Sequence, residues 1–196
     1  MSDQPIEYGG LHHLALVCRD MERTVDFYTN VLGMKLKKGF DLDRGYGQHF
    51  FFDMGNGSEL AFFWFRDAAD AAPGVASAAN LVGSAGGTIT SGIGSMNHVA
   101  FNVAPDQIDA YREMLVAKGV DCTEVVNHDD VVTGKDARTA GDITDKTWLR
   151  SFYFYDPDGI MLEFCATLKA GSANVDLPVN AQGIKADGTG IVGATA

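Results

Sequence analysis

His13-Leu14-Ala15-Leu16-Val17-Cys18 is answered 85 residues later by His98-Val99-Ala100-Phe101-Asn102-Val103. Such an internal repeat decides the architecture before any single residue does. Each copy opens with a His on a short β-rich run. Each continues into an amphipathic helical stretch, Met21 to Leu32 in the first and Asp106 to Lys118 in the second. Gly33 and Gly119 follow those stretches, and glycine is a common C-terminal helix stop. Three further β-type runs come next: Lys35–Phe40, Gly47–Asp53 and Glu59–Phe65 in the first half, and Thr123–Asn127, Trp148–Tyr155 and Ile160–Ala166 in the second. Gly55-Asn56-Gly57 and Asp156-Pro157-Asp158-Gly159 supply the last turns, because proline presets φ and glycine takes positive φ without steric cost. The pattern predicts an α+β fold of two β-α-β-β-β modules.

The two modules occupy roughly residues 10–66 and 96–167. Residues 67–95, rich in Ala, Gly and Ser, read as a linker over the surface. Residues 129–147 read as a long polar loop, a kind of segment that often covers a site. From about residue 168 the chain is poor in large apolar side chains and reads as an arm or tail.

The composition narrows the function. The chain has 196 residues and a formal net charge of −11. An acidic surface repels phosphate backbones and anionic lipid, so neither nucleic acid nor a membrane surface is an expected partner. No apolar run approaches the ~20 residues that span a bilayer, and Met1 to Gly10 lacks the apolar core of a signal peptide. Cys18, Cys122 and Cys165 are too few and too scattered for a disulfide frame or a zinc knuckle. The expected location is cytoplasmic. Phosphate-binding and nucleophile-elbow motifs are absent from the sequence.

The chemistry points to a metal. His13 and His98 hold matching places in the repeat, and strand alternation puts His13, Ala15 and Val17 on one face, with His98, Ala100 and Asn102 on the other module's matching face. Small residues two positions on leave space before each imidazole. Glu163 stands among Met161, Leu162 and Phe164 on the last predicted strand, where an unpaired carboxylate is costly. Two His and one Glu from three strands can form a facial triad, a set suited to non-haem Fe(II) with open coordination positions.

These residues lie within a wider resemblance. His13-Leu14-Ala15-Leu16 with Asp20, Phe27-Tyr28, Val31-Leu32-Gly33-Met34, Asn97-His98-Val99-Ala100-Phe101 and the run from Phe152 to Phe164 resemble the vicinal oxygen chelate superfamily. That superfamily includes glyoxalase I, type I extradiol dioxygenases and bleomycin-resistance proteins. The resemblance covers roughly residues 10–167. It implies a cupped mixed sheet around one divalent metal ligated by His13, His98 and Glu163, and a substrate that chelates the metal through vicinal oxygens. Fe(II) is the leading expectation, with Ni, Zn, Co or Mn as alternatives.

The fourth ligand position separates the reactions. Registering Gly55 with Gly159 places Glu59 opposite Glu163 as a fourth ligand, the glyoxalase I-like arrangement. Registering Gly57 with Gly159 places Ala61 there and leaves the position open. Periodicity does not choose, because Glu59 and Ala61 share a face. Tyr153 stands ten residues before Glu163 in Ser151-Phe152-Tyr153, as in extradiol dioxygenases, where such a Tyr bonds the substrate hydroxyl. The sequence departs from that pattern between Asp142 and Arg150 and over residues 83–97, which hold no His. His12, His49 or His128 could take over proton handling, and His128 opens the long loop. The leading expectation is a ring-cleaving dioxygenase using O2 and a catechol-like small molecule, assembled as a homodimer. The alternatives are a glyoxalase I-like lyase or isomerase and a bleomycin-resistance-type binding protein.

Overall fold

The computed structural model describes residues 7–71, 81, 89–129, 138–140 and 142–169. Two sheets carry the repeat. The first runs β1-β4-β3-β2, with β1 at His13–Val17, β2 at Leu36–Asp41, β3 at Gly47–Gly55 and β4 at Ser58–Phe65. The second runs β5-β9-β8-β6-β7, with β5 at Val99–Asn102, β6 at Val126–Asp129, β7 at Arg138–Ala140, β8 at Thr147–Tyr155 and β9 at Met161–Thr167. In both, the first strand pairs parallel to the last, and β2, β3 and β4 make antiparallel pairs in the same order as β6, β8 and β9.

The expected modules are present, with three local differences. The first helical stretch is an α-helix, α1, only over Met21–Asp26, and continues as a π-helical turn over Phe27–Val31. Asp20 caps α1, its carboxylate accepting from the Arg23 amide at 3.1 Å, a type of contact typically worth about 1 kcal/mol. The second helix, α2, covers Ile108–Ala117. β6 starts three residues later than the Thr123–Asn127 expectation, because Thr123 spends its backbone and hydroxyl on Tyr153 instead of a ladder. The expected 129–147 loop contains β7, paired antiparallel to β6. Most of the expected linker and nearly all of the expected tail lie outside the described residues.

One apolar cluster joins the modules. Cys18, Tyr28, Phe52, Leu60 and Phe62 of the first pack with Ile108, Leu115, Phe152, Phe154 and Leu162 of the second. Polar contacts follow the same side. The Tyr28 hydroxyl donates to Asp156 at 3.2 Å, and the Arg19 amide donates to Asp158 at 2.8 Å. Lys118 donates to the carbonyls of Asn30 and Val31 at 2.9 and 2.7 Å, capping the end of the π-turn with a cation where helix carbonyls lack partners. The opposite faces of the two edge strands stay open: Ala15, Val17, Ala100 and Asn102 are exposed.

One close approach fixes a residue type. A Cβ on Gly47 would lie 2.1 Å from the Trp64 carbonyl oxygen, a backbone atom of the paired strand. Gly47→Ala should therefore destabilise the protein by about 2–3 kcal/mol, the scale of an overpacked interior. Urea unfolding of the two proteins measures it.

Candidate metal centre

The two modules have diverged on their concave faces. In the first, the β1, β3 and β4 side chains on the face of His13 include His49, Phe51, Ala61, Phe63 and Phe65, together with Ala15, Val17 and Glu59. His49 lies parallel to Phe63 with ring centroids 3.6 Å apart, and Phe51 stands edge-on to His49 at 4.2 Å. The His49 ring nitrogen Nδ1 bonds the Phe62 carbonyl at 3.1 Å, which requires a proton on Nδ1. His49 is thus a buried member of an aromatic wall.

The second module is polar at the matching places. His98, Glu163, Tyr153, Ser151 and His128 share its concave face. β9 lies between β5 and β8, and Met161 to Phe164 are all buried, which takes Glu163 out of water. A buried carboxylate is costly unless its oxygens are satisfied. His98 Nε2 approaches Glu163 Oε2 at 2.9 Å. Ser151 and Tyr153 share its face and lie close enough to lower its pKa. Burial alone would raise the Glu163 carboxyl pKa, but His98, Ser151 and Tyr153 outweigh it and hold the group below the ordinary value. Burial, and then the Glu163 charge, push the Tyr153 phenol up to about 12. Tyr153 therefore stays a proton donor at neutral pH.

Asn97 fixes the state of His98. Its amide nitrogen donates to the Ile89 carbonyl and to Ser91 Oγ, so its oxygen is the atom facing His98 Nδ1 at 2.7 Å. His98 Nδ1 must then carry a proton. In the neutral imidazole this leaves a lone pair on Nε2, aimed at an anionic oxygen 2.9 Å away. Two lone pairs do not face each other at that distance without a proton or a cation to share. An amide holding Nδ1–H while Nε2 faces a carboxylate is the outer-shell pattern of a metal-ligating His. The donor chemistry fits a divalent cation.

His13 lies elsewhere. It begins β1 and is exposed, with Nδ1 2.8 Å from His12 Nδ1 and its ring 6.0 Å from Phe51. Among the described residues of one chain, no three His, Cys, Asp or Glu side chains form a metal-holding group. The chain brings His98 and Glu163 together and leaves His13 on the other sheet.

The ladders give the register that periodicity left open. Ala15 pairs with Ala61 where Ala100 pairs with Glu163, and Phe51 pairs with Ala61 where Tyr153 pairs with Glu163. Ala61 is the repeat counterpart of Glu163. Glu59 pairs across from His13, and its carboxylate binds Lys37 at 2.6 Å. Arg150 is held by both carboxylate oxygens of Asp109 at 2.9 and 3.0 Å and by Asn127 at 2.8 Å. His128 Nε2 meets Ser151 Oγ at 3.2 Å. Sequence reading gave no role to Asn97 or Ser151, although both stand inside the motifs that carried the resemblance.

Paired β-α-β-β-β modules, each with its first strand parallel to its last, define a class of fold. The comparisons place the chain within it. The profile of the Glyoxalase/Bleomycin resistance protein/Dioxygenase superfamily matches residues 10–164, and the chain belongs to that superfamily. The "Putative ring-cleaving dioxygenase MhqE" of Bacillus subtilis (strain 168) is 31% identical over 119 residues, which is 59% of this chain and 33% of that protein. The chain thus matches about a third of that relative's length. Among solved structures, the glyoxalase family protein from Enterococcus faecalis is similar with a TM-score of 0.54 at 18% identity, covering 81% of this chain and 98% of its own. The fosfomycin resistance protein FosX from Listeria monocytogenes, complexed with Mn(II) and a sulfate ion, has a TM-score of 0.51 at 20% identity, covering 83% of this chain and 96% of its own. At these identities the likeness is one of fold. Among the described residues no helix is long and apolar enough to cross a membrane.

Proposed function

We propose that this chain is a metal-dependent dioxygenase of the extradiol ring-cleavage type, acting on a catechol-like substrate with vicinal oxygens. The observation that carries the reading is the set of Glu163, His98 and Tyr153 on one concave face, with Ala61 at the counterpart of Glu163. Two protein donors are aligned, a phenol proton stands opposite the carboxylate ligand, and the place of a fourth ligand holds a methyl group. The ion pair of Glu59 with Lys37 favours this reading over the glyoxalase I-like one. Identity to MhqE points the same way.

The proposed ligands are His98, Glu163 and His13, with His13 supplied by a second copy of the chain. This assembly is supported by the placement of His13 on the other sheet, by the open faces at Ala15, Val17, Ala100 and Asn102, and by the contacts that join the modules on the opposite side. When bound, Fe(II) would supply open positions for two vicinal oxygens and O2. The residues of the chain do the rest. Tyr153 donates to a substrate oxygen near Glu163 and orients it. The aromatic wall of His49, Phe51 and Phe63 covers an apolar ring and excludes water.

Protein purified without oxygen should hold about one iron per chain, the stoichiometry of a single triad, and take up O2 when given catechol. Elemental analysis and an oxygen electrode read both. Failure to retain any divalent metal after reconstitution sinks the proposal, and nickel or zinc with no O2 uptake returns the lyase reading.

A further inference from the structure

We propose that Leu42, Arg44, Tyr46 and Arg66 form a binding site for a small aromatic carboxylate, built from none of the metal-centre residues and independent of the reaction proposed there. With Asp43 they line an open cleft of about 540 Å3, where the β2–β3 connection meets the end of β4. Small-molecule sites span roughly 300–1,000 Å3.

One side of the cleft is a fixed turn. The Leu42 amide donates to the Gly47 carbonyl at 2.8 Å, and the Tyr46 amide to the Asp43 carbonyl at 3.2 Å. The Arg66 amide donates to the Tyr46 carbonyl at 3.1 Å, and Gly47 lies too close to the Trp64 carbonyl for any Cβ. The turn is thus seated on β4. At its tip Arg44 and Gly45 both have positive φ, 58° and 66°. That is the pattern of a type I′ hairpin turn, whose central positions favour Asn, Asp and Gly. A long side chain in the left-handed region costs the fold free energy, and residues held so cluster at ligand sites.

The charges are left open. Among the described residues the Arg44 guanidinium has no hydrogen bond or ion pair. The Arg66 guanidinium meets only Asp67, at 3.6 Å and exposed to solvent, a pair that neutralises little. Asp43 pairs with neither Arg. The chain carries 26 acidic residues against 15 Lys and Arg, so acids to cover these two cations are not scarce. A guanidinium presents a fork of N–H donors that matches both oxygens of a carboxylate. Tyr46 packs against Phe65 with ring centroids 5.9 Å apart and is still 52% exposed, and Leu42 adds an apolar side chain. An apolar flat surface beside two cations selects a ring that carries the anion over a strongly hydrated inorganic one.

Equilibrium dialysis of the full chain against 2-naphthoate tests the site. One naphthoate should bind per chain with Kd on the order of a millimolar, the reach of so small a ligand at an open site. 2-Naphthylmethanol, the same ring without the charge, should bind about tenfold more weakly, and so should inorganic phosphate. Arg44→Asn places a favoured residue in the turn, so its urea midpoint should equal or exceed that of the wild type. Its affinity for naphthoate should still fall about tenfold, as should that of Arg66→Gln. Asp43→Asn removes the carboxylate that lines the cleft and should tighten binding about threefold. A wild type that takes up no naphthoate overturns the site. So does naphthoate that binds Arg44→Asn and Arg66→Gln as it binds the wild type, or a neutral ring or phosphate that binds as tightly. None of these results bears on iron retention or O2 uptake, so this site and the dioxygenase reading fail separately.

Discussion

Co-expressed His13→Ala and Glu163→Gln chains, purified as the mixed dimer through two different tags, should bind about one metal per dimer. Neither parent should bind any. The arithmetic follows from two-fold symmetry. If each site takes His13 from one copy and His98 with Glu163 from the other, the mixed dimer has one site with both lesions and one with none. If each chain builds its own site, both sites carry a lesion and the mixed dimer is as empty as its parents. The effect is all-or-none, and removing a ligand of a three-residue site is expected to abolish stoichiometric binding. Mn(II) titration followed by electron paramagnetic resonance reads it directly, and O2 uptake provides a second measure. A metal-free mixed dimer made from a wild type that does bind metal refutes the shared site.

The second large effect lies at Asp156. This carboxyl is buried at the turn between β8 and β9 and accepts from the amides of Asp158 and Ile160 at 2.9 and 2.8 Å and from the Tyr28 hydroxyl. Burial dominates those bonds and pushes its pKa up to about 6 from 3.8. A raised carboxyl pKa means that the folded state binds the proton more tightly than the unfolded chain. The stabilisation is therefore fully present below pH 3.8 and is lost as pH rises toward 6, about 3 kcal/mol across the window. Glu163 has the opposite sign, since its lowered pKa contributes stability that is lost as pH falls. The difference between wild type and Asp156→Asn isolates the first term. The Asn oxygen can still accept from the two amides, and the Tyr28 oxygen can accept from the new N–H. Asp156→Asn should match the wild type near pH 4 and gain on it steadily to pH 6.5, as measured by urea unfolding at each pH. A constant difference across that range refutes the account.

Much of the fold was legible because the repeat is written in features that act locally. Strand alternation, the glycine helix stops and the Asp-Pro-Asp-Gly turn each specify their own stretch, and the ladders follow. What escaped was settled by tertiary contact. The π-turn at Phe27–Val31 places Tyr28 in the shared core and offers carbonyls to Lys118 across 87 and 88 positions of sequence. β7 exists only because β6 has a free edge. The choice between Glu59 and Ala61 depended on turn length. Asn56 and Gly57, both at positive φ, close a two-residue hairpin between Gly55 and Ser58, whereas five residues separate Tyr155 from Met161. A hairpin with two positive-φ residues is a recognisable signal, and giving it weight would have aligned Gly57 with Gly159.

The candidate site was legible by residue type and not by location. His98, Glu163 and Tyr153 do meet, because one module's own ladders hold them. His13 does not join them, because strand pairing within a module says nothing about how two modules face each other. Asn97 and Ser151 were overlooked for a related reason. Short polar residues beside a ligand look like solvated neighbours until the direction of their hydrogen bonds is known.

Cys165 stands two residues from Glu163 on the same face of β9. Burial, and then the charge of Glu163, push its thiol up to about 11. At neutral pH only about one such group in ten thousand is a thiolate, the reactive form. Electron-poor rings, of the kind catechols become when oxidised, inactivate proteins by capturing thiolates. The wall of this cup is chemically mute toward them. Burial, reinforced by the acid beside it, thus keeps this sulfur in its unreactive form at neutral pH.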